Sequence, residues 1–144
     1  MILADESTRQ VVYLSRTYPG QTHDKQMADQ EAIHYPERTR LTKDMGFQGY
    51  EPLNVFTIQP RKQTRGSFLS LTDRLSNRLI ASARIVVEHV IAGIKRCRIV
   101  KDVFRNTKPG FSDLVMQIAC GLHNLRTDFR YLQTLPYQLK RYFR

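Results

Sequence analysis

Apolar residues in the first sixty positions come in short runs separated by turn formers. The run "RQVVYLSRT" (9–17) is rich in β-branched and aromatic residues and reads as a strand entered from the polar turn "ADEST" (4–8). A Pro-Gly turn at Pro19–Gly20 leads into "HDKQMADQEAI" (23–33), whose composition suits a short helix. "RTRLTKD" (38–44) reads as a strand ending at Asp44 and is stopped by the glycine-bearing turn "MGFQGYEP". "NVFTIQP" (54–60) predicts another strand, closed by Pro60, and the basic loop "RKQTRGS" follows.

Beyond this loop the period changes. Ser70, with Asp73 three residues on, forms a near-capping box. Leu71, Leu75, Leu79, Ala83, Val86, Val90 and Ile94 then recur at spacings of three and four, which predicts one buried stripe. A helix carrying it to Cys97 is on the order of 40 Å long at 1.5 Å per residue. Phe111, Leu114, Val115, Ile118, Leu122 and Leu125 share a face of a second helix over 111–128, and "KPG" (108–110) separates the two. The tail from 129 to 144 is aromatic and basic, with a breaker at Pro136. Strands first and helices after suit a small α/β or α+β domain in which a long helix covers a sheet.

Charge narrows the picture. The 144 residues hold 23 Lys+Arg against 13 Asp+Glu, a net charge of +10. That excess favours polyanionic partners, nucleic acid first among them. Cys97 and Cys120 form no CxxC pair and are expected to be free, buried thiols in a reducing compartment. The start "MILADESTRQ" has no basic and apolar leader pattern, and no apolar run approaches the ~20 residues that span a bilayer. A cytoplasmic, nucleoid-associated protein is expected.

In "RIVVEHVIAGIKRCR" (84–98) one carboxylate, Glu88, sits among basic residues. On a helix it points away from the apolar stripe and shares a polar face with Asn77, Arg84 and Lys95. Spacing alone leaves two readings open, an ordinary i,i+4 surface pair of Arg84 with Glu88 or a carboxylate held for a cation. Asp44 adds weight to the second, because carboxyl ends of strands are where α/β folds gather functional groups. Carboxylates suit Mg²⁺, and two such ions ~3.5–4 Å apart can activate an attacking oxygen and stabilise a leaving one in phosphodiester chemistry.

Four blocks, "YPGQTHDKQMAD", "LTKDMGFQGY", "RIVVEHVIAGIKRCRIV" and "CGLHNLR", resemble successive blocks of DDE transposases. The likeness is to bacterial insertion-sequence transposases of the family numbered five and their PIF/Harbinger-like relatives, over residues 10–126. It implies a ribonuclease-H-like fold, incomplete here, with a small mixed sheet packed by a long helix and a second C-terminal helix. By this resemblance residues 1–128 are the C-terminal part of the catalytic domain. Asp44 and Glu88 are then catalytic acids binding Mg²⁺ or Mn²⁺, and Asp24 is a possible additional acid or a helix cap. Arg84 and Lys95 match flanking basic positions. Arg61, Lys62, Arg65 and Arg98 are further candidates for DNA phosphates.

The family's first Asp lies on an earlier strand, and the chain is expected to start too late to contain it. Asp5 stands in a turn-like stretch without the family's Asp-Gly-Thr context. The expected partners are DNA at transposon ends and target, plus a second copy or the missing N-terminal part. A non-catalytic DNA-binding or inhibitory fragment is the alternative. His23, His89 and His123 read as structural, since no second ligand stands at metal spacing.

Overall fold

The computed structural model describes residues 1–60 and 70–134, with side chains described to residue 130. The elements in chain order are β1 (Ile2–Ala4), β2 (Val11–Leu14), α1 (Asp24–Glu31), β3 (Arg40–Thr42), a 3-10 turn (Met45–Phe47), β4 (Phe56–Ile58), α2 (Leu71–Ile94), α3 (Arg98–Lys101) and α4 (Phe111–Thr134). The chain divides into two compact units, one of Met1 with Tyr18–Ile85 and one of Ile2–Thr17 with Val86–Arg144. Helix α2 passes from the first into the second at Ile85.

Among the described residues the strands form two pairs where one small mixed sheet was expected. In the first unit β3 and β4 run parallel, with Leu41 opposite Thr57. In the second unit β1 and β2 run antiparallel, with Leu3 opposite Tyr13 and a bulge between Leu3 and Ala4. Sequence periodicity did not predict β1, which is three residues long and is made by pairing rather than by its own alternation.

Asp5 builds the hairpin between β1 and β2. Its carboxylate accepts the backbone N–H of Ser7 and Thr8 and both of their hydroxyls. These bonds, led by the Ser7 hydroxyl, lower its pKa to about 2. Arg9 closes the turn in the left-handed region at φ 59.

Helix α2 begins as its sequence predicts, with Ser70 Oγ accepting the Asp73 N–H at 3.1 Å and donating to its carboxylate at 2.7 Å. Its stripe is not buried along its length. Leu71, Leu75 and Leu79 are 78%, 63% and 72% exposed, while Ile80, Val90 and Ile94 are buried. In the second unit Val90 and Ile94 join Ala119 and Cys120 of α4 in a core lined by Ile2, Ala4, Val11, Leu14, Cys97, Val100 and Met116. Each large aliphatic there contributes about 1.5–3 kcal/mol.

Helix α4 corrects its expected face in the same way. Leu114, Ile118, Leu122 and Leu125 point outward, and its inward side is Ala119, Cys120 and His123. The physical reason is size. Gly93 of α2 leaves room for the His123 ring of α4, so the side of α4 that carries the small Ala119 and Cys120 beside His123 takes the core and the row of larger residues does not. The cysteines are free, Cys120 buried and Cys97 half-buried, and burial pushes the Cys120 thiol pKa up.

Candidate functional site

Asp44 lies two residues beyond β3, between Lys43 and the 3-10 turn that it caps. Lys43 is a charged residue that is only 5% exposed. Its ammonium donates to the Tyr50 carbonyl and to Glu51 Oε1 at 2.7 Å, and Glu51 Oε2 accepts from Thr57 Oγ1 of β4 at 2.6 Å. The pairing holds the Glu51 carboxyl below its usual range. Lys43 thus ties both ends of the turn that follows Asp44 to the β3–β4 pair. Gln59 adds a bond to the Asp44 carbonyl at 3.3 Å.

The Asp44 side chain is exposed. Oδ1 accepts the Met45 N–H at 2.7 Å, capping the 3-10 turn, and Oδ2 lies 4.0 Å from the Arg84 guanidinium of α2. Both partners are more than half exposed, so the pair contributes little to stability, roughly 0–1 kcal/mol. What it does is bring a strand-end carboxylate and a helix-borne cation together at the surface of one unit.

Asp24 opens α1, whose cap is His23, with Nδ1 accepting the Lys25 N–H at 3.4 Å. The capping role considered for Asp24 therefore falls to its neighbour. The Asp24 carboxylate instead lies against Gly46, where a Cβ would collide with it. Glycine at position 46 permits that approach, and the Lys25 stem packs likewise beside Gly49, which sits at φ 80. The "THDK" and "DMGFQG" blocks therefore meet, bringing Asp24 and the turn after Asp44 together.

Glu88 is exposed on α2, one helical turn beyond Arg84, within the second unit. Among the described residues it makes no ion pair, so the i,i+4 bridge to Arg84 that its spacing allowed is not formed; Arg84 faces Asp44 instead. Lys95 is exposed at the end of α2, and Arg98 is exposed on α3 with its Nε 3.5 Å from Asp102. Arg61, Lys62 and Arg65 lie outside the described residues. Asp5 is engaged by the four bonds of its own hairpin.

Asp44 in the first unit and Glu88 in the second are each exposed carboxylate residues, and carboxylate oxygens are the donors that hard cations take. Among the described residues no three His, Cys, Asp or Glu side chains converge as a ready-made metal cluster. Sequence reasoning missed one contributor, Lys43. Its only trace in the sequence is a glutamate eight residues on, a spacing too common to single out a buried lysine.

The family model described as DDE superfamily endonuclease matches residues 2–124. The chain is similar to the probable transposase for insertion sequence element IS702 of Microchaete diplosiphon, 26% identical over 123 residues. Those residues are 85% of this chain and 44% of that protein, so the chain spans less than half the length of this curated relative. No solved structure matches it significantly. Among the described residues no helix is long and apolar enough to cross a membrane. The family match over most of the sequence leads to one conclusion: this chain belongs to the DDE superfamily endonucleases.

Proposed function

We propose that this chain supplies two acids, Asp44 and Glu88, of a transposase active site of ribonuclease-H-like fold that cuts and rejoins DNA at the ends of an insertion sequence. The observation that carries the reading is Asp44. It stands at the carboxyl end of β3 with an exposed carboxylate and an arginine of α2 beside it, within a family of DNA-cutting enzymes. In this reading the two carboxylates hold Mg²⁺ or Mn²⁺, and the bound ion supplies Lewis acidity and an activated oxygen nucleophile. Arg84 and Lys95 hold phosphates of the DNA backbone on either side, with Arg98 and the loop residues Arg61, Lys62 and Arg65 extending the track.

Asp5 takes no part in this site, because its carboxylate is engaged by its own hairpin. Asp24 is a neighbour of the Asp44 turn and a possible additional acid. The partners are DNA and either a second copy or the N-terminal part of a transposase, in the compartment that holds the DNA.

Mn²⁺ titration followed by electron paramagnetic resonance tests the reading. Asp44→Ala and Glu88→Ala should each lower Mn²⁺ affinity at least tenfold while leaving helix content unchanged. Unaltered affinity in both variants refutes the assignment, and DNA binding that survives it would leave a non-catalytic binder.

A further inference from the structure

The Leu-His-Asn stretch of α4 makes a set of long-range bonds that the metal and DNA chemistry above does not use. Asn124 meets β2 with both ends of its carboxamide: Oδ1 accepts the Val11 N–H at 2.8 Å and Nδ2 donates to the Val11 carbonyl at 2.8 Å. The side chain thereby stands in for a neighbouring strand. His123 is buried, with Nε2 3.0 Å from the carbonyl of Arg9. Arg9 holds the left-handed backbone of the β1–β2 turn, a conformation seldom adopted by residues other than glycine.

The opposite flank of the same imidazole lies on α2. Gly93 leaves the space that the His123 ring fills, and a Cβ there would run into Nδ1 and Cε1. One turn further along α4, Arg126 donates to the Gly93 carbonyl at 3.3 Å. That carbonyl belongs to the last turn of α2, where acceptors have lost their helical partners. The end of α2 is therefore fixed against α4 by a close-packed ring and a guanidinium. Glu88 lies five residues upstream on the same helix, about 7.5 Å along its axis.

We propose that His123 and Asn124 are positioning residues for Glu88. They lock β2 and the end of α2 onto α4, and so set where the Glu88 carboxylate stands. The inference rests on reading Glu88 as a metal ligand, a role that demands placement to a fraction of an ångström. A helix interior has no hinge between Gly93 and Glu88, so movement at the first displaces the second.

The test uses the whole 144-residue chain and two readouts. One is Mn²⁺ affinity. The other is metal-independent: a nitroxide on Glu88→Cys, with Cys97 and Cys120 replaced by Ala, and paramagnetic relaxation at the amides of Val11–Leu14. His123→Ala and Asn124→Ala should lower Mn²⁺ affinity at least fivefold and alter the relaxation profile, with helix content preserved. His123→Gln carries an amide nitrogen at about the reach of Nε2 and should stay within twofold of the parent on affinity with an unaltered profile. Folded alanine variants that keep both the affinity and the profile overturn the proposal.

If Asp44→Ala and Glu88→Ala leave Mn²⁺ binding intact, the metal reading fails by itself and the relaxation profile alone decides. An altered profile then upholds the positioning and an unaltered one overturns it. Should either alanine variant fail to fold, Gly93→Ala pushes on the same ring while leaving every hydrogen-bonding group in the chain. It should give the same losses, and parental values on both readouts overturn the proposal.

Discussion

Replacing Gly93 with alanine sets two opposing effects against each other. Glycine in a helix interior costs about 1 kcal/mol relative to alanine, so in an open helix the substitution stabilises by about that much. Here the added methyl would enter the His123 ring. The ring cannot withdraw freely, because it is buried and its Nε2 is bonded to the Arg9 carbonyl. If α2 backs away instead, the Arg126 bond to Gly93 and the packing of Val90 and Ile94 loosen.

Overpacking of this kind costs about 1–3 kcal/mol, and losing the histidine bond would add about 1 kcal/mol. The steric and hydrogen-bond costs together exceed the helix gain, so Gly93→Ala should destabilise by about 1–3 kcal/mol. For a chain of this size that lowers the melting midpoint by roughly 3–12 °C. The deciding measurement is a double-mutant cycle by urea unfolding. Once the ring is gone, in a His123→Ala background, the same alanine should stabilise by about 0.5–1 kcal/mol. A gain in the parent chain, or the same effect in both backgrounds, would refute the close approach.

Four further outcomes are expected. Lys43→Met leaves the Tyr50 carbonyl and Glu51 without their buried cation and should destabilise by about 1–3 kcal/mol in urea, more than Glu51→Gln does. The depressed Asp5 pKa stabilises the fold above the ordinary carboxylate range, and that contribution is lost as pH falls from about 4 through about 2. Asp5→Ala should flatten the acid limb of the stability curve over that window, and an unchanged limb counts against the hairpin bonds. Asp44→Asn should shift the urea midpoint negligibly, within about 0.5 kcal/mol, because both members of its pair with Arg84 are exposed. Cys97 should react with a disulfide reagent at pH 8 at least tenfold faster than Cys120, which is buried and has a raised pKa; equal rates would contradict the core assignment.

Local signals carried much of the fold into the sequence. The Ser70–Asp73 cap, the breakers at Pro60 and Gly110 and the short β-branched runs placed β2, β3, β4, α2 and α4, since each is fixed by neighbours within a few residues. What periodicity could not give is which side of a helix meets a neighbour. Leu71, Leu75 and Leu79 repeat as regularly as Val90 and Ile94, yet only the latter pair is covered, because spacing defines a face and the tertiary fold chooses among faces. The expectation of a satisfied, partly buried imidazole at His123 agrees with its bond to Arg9, but that partner lies 114 residues away and no local pattern points to it. For the candidate site, Asp44 was legible as a strand-end acid. The buried Lys43 behind it was not, because lysine ordinarily faces solvent.

The outward row on α4, Leu114, Ile118, Leu122, Leu125 and Phe129, has a consequence for the life of the polypeptide in a cell. A contiguous apolar ridge on a folded surface marks an interaction site or an aggregation liability, so shielding the ridge should govern how well the chain survives in solution alongside the packing of its core. Replacing two of those leucines by glutamate should lengthen cellular half-life and raise recovery from lysate even though no buried contact is gained.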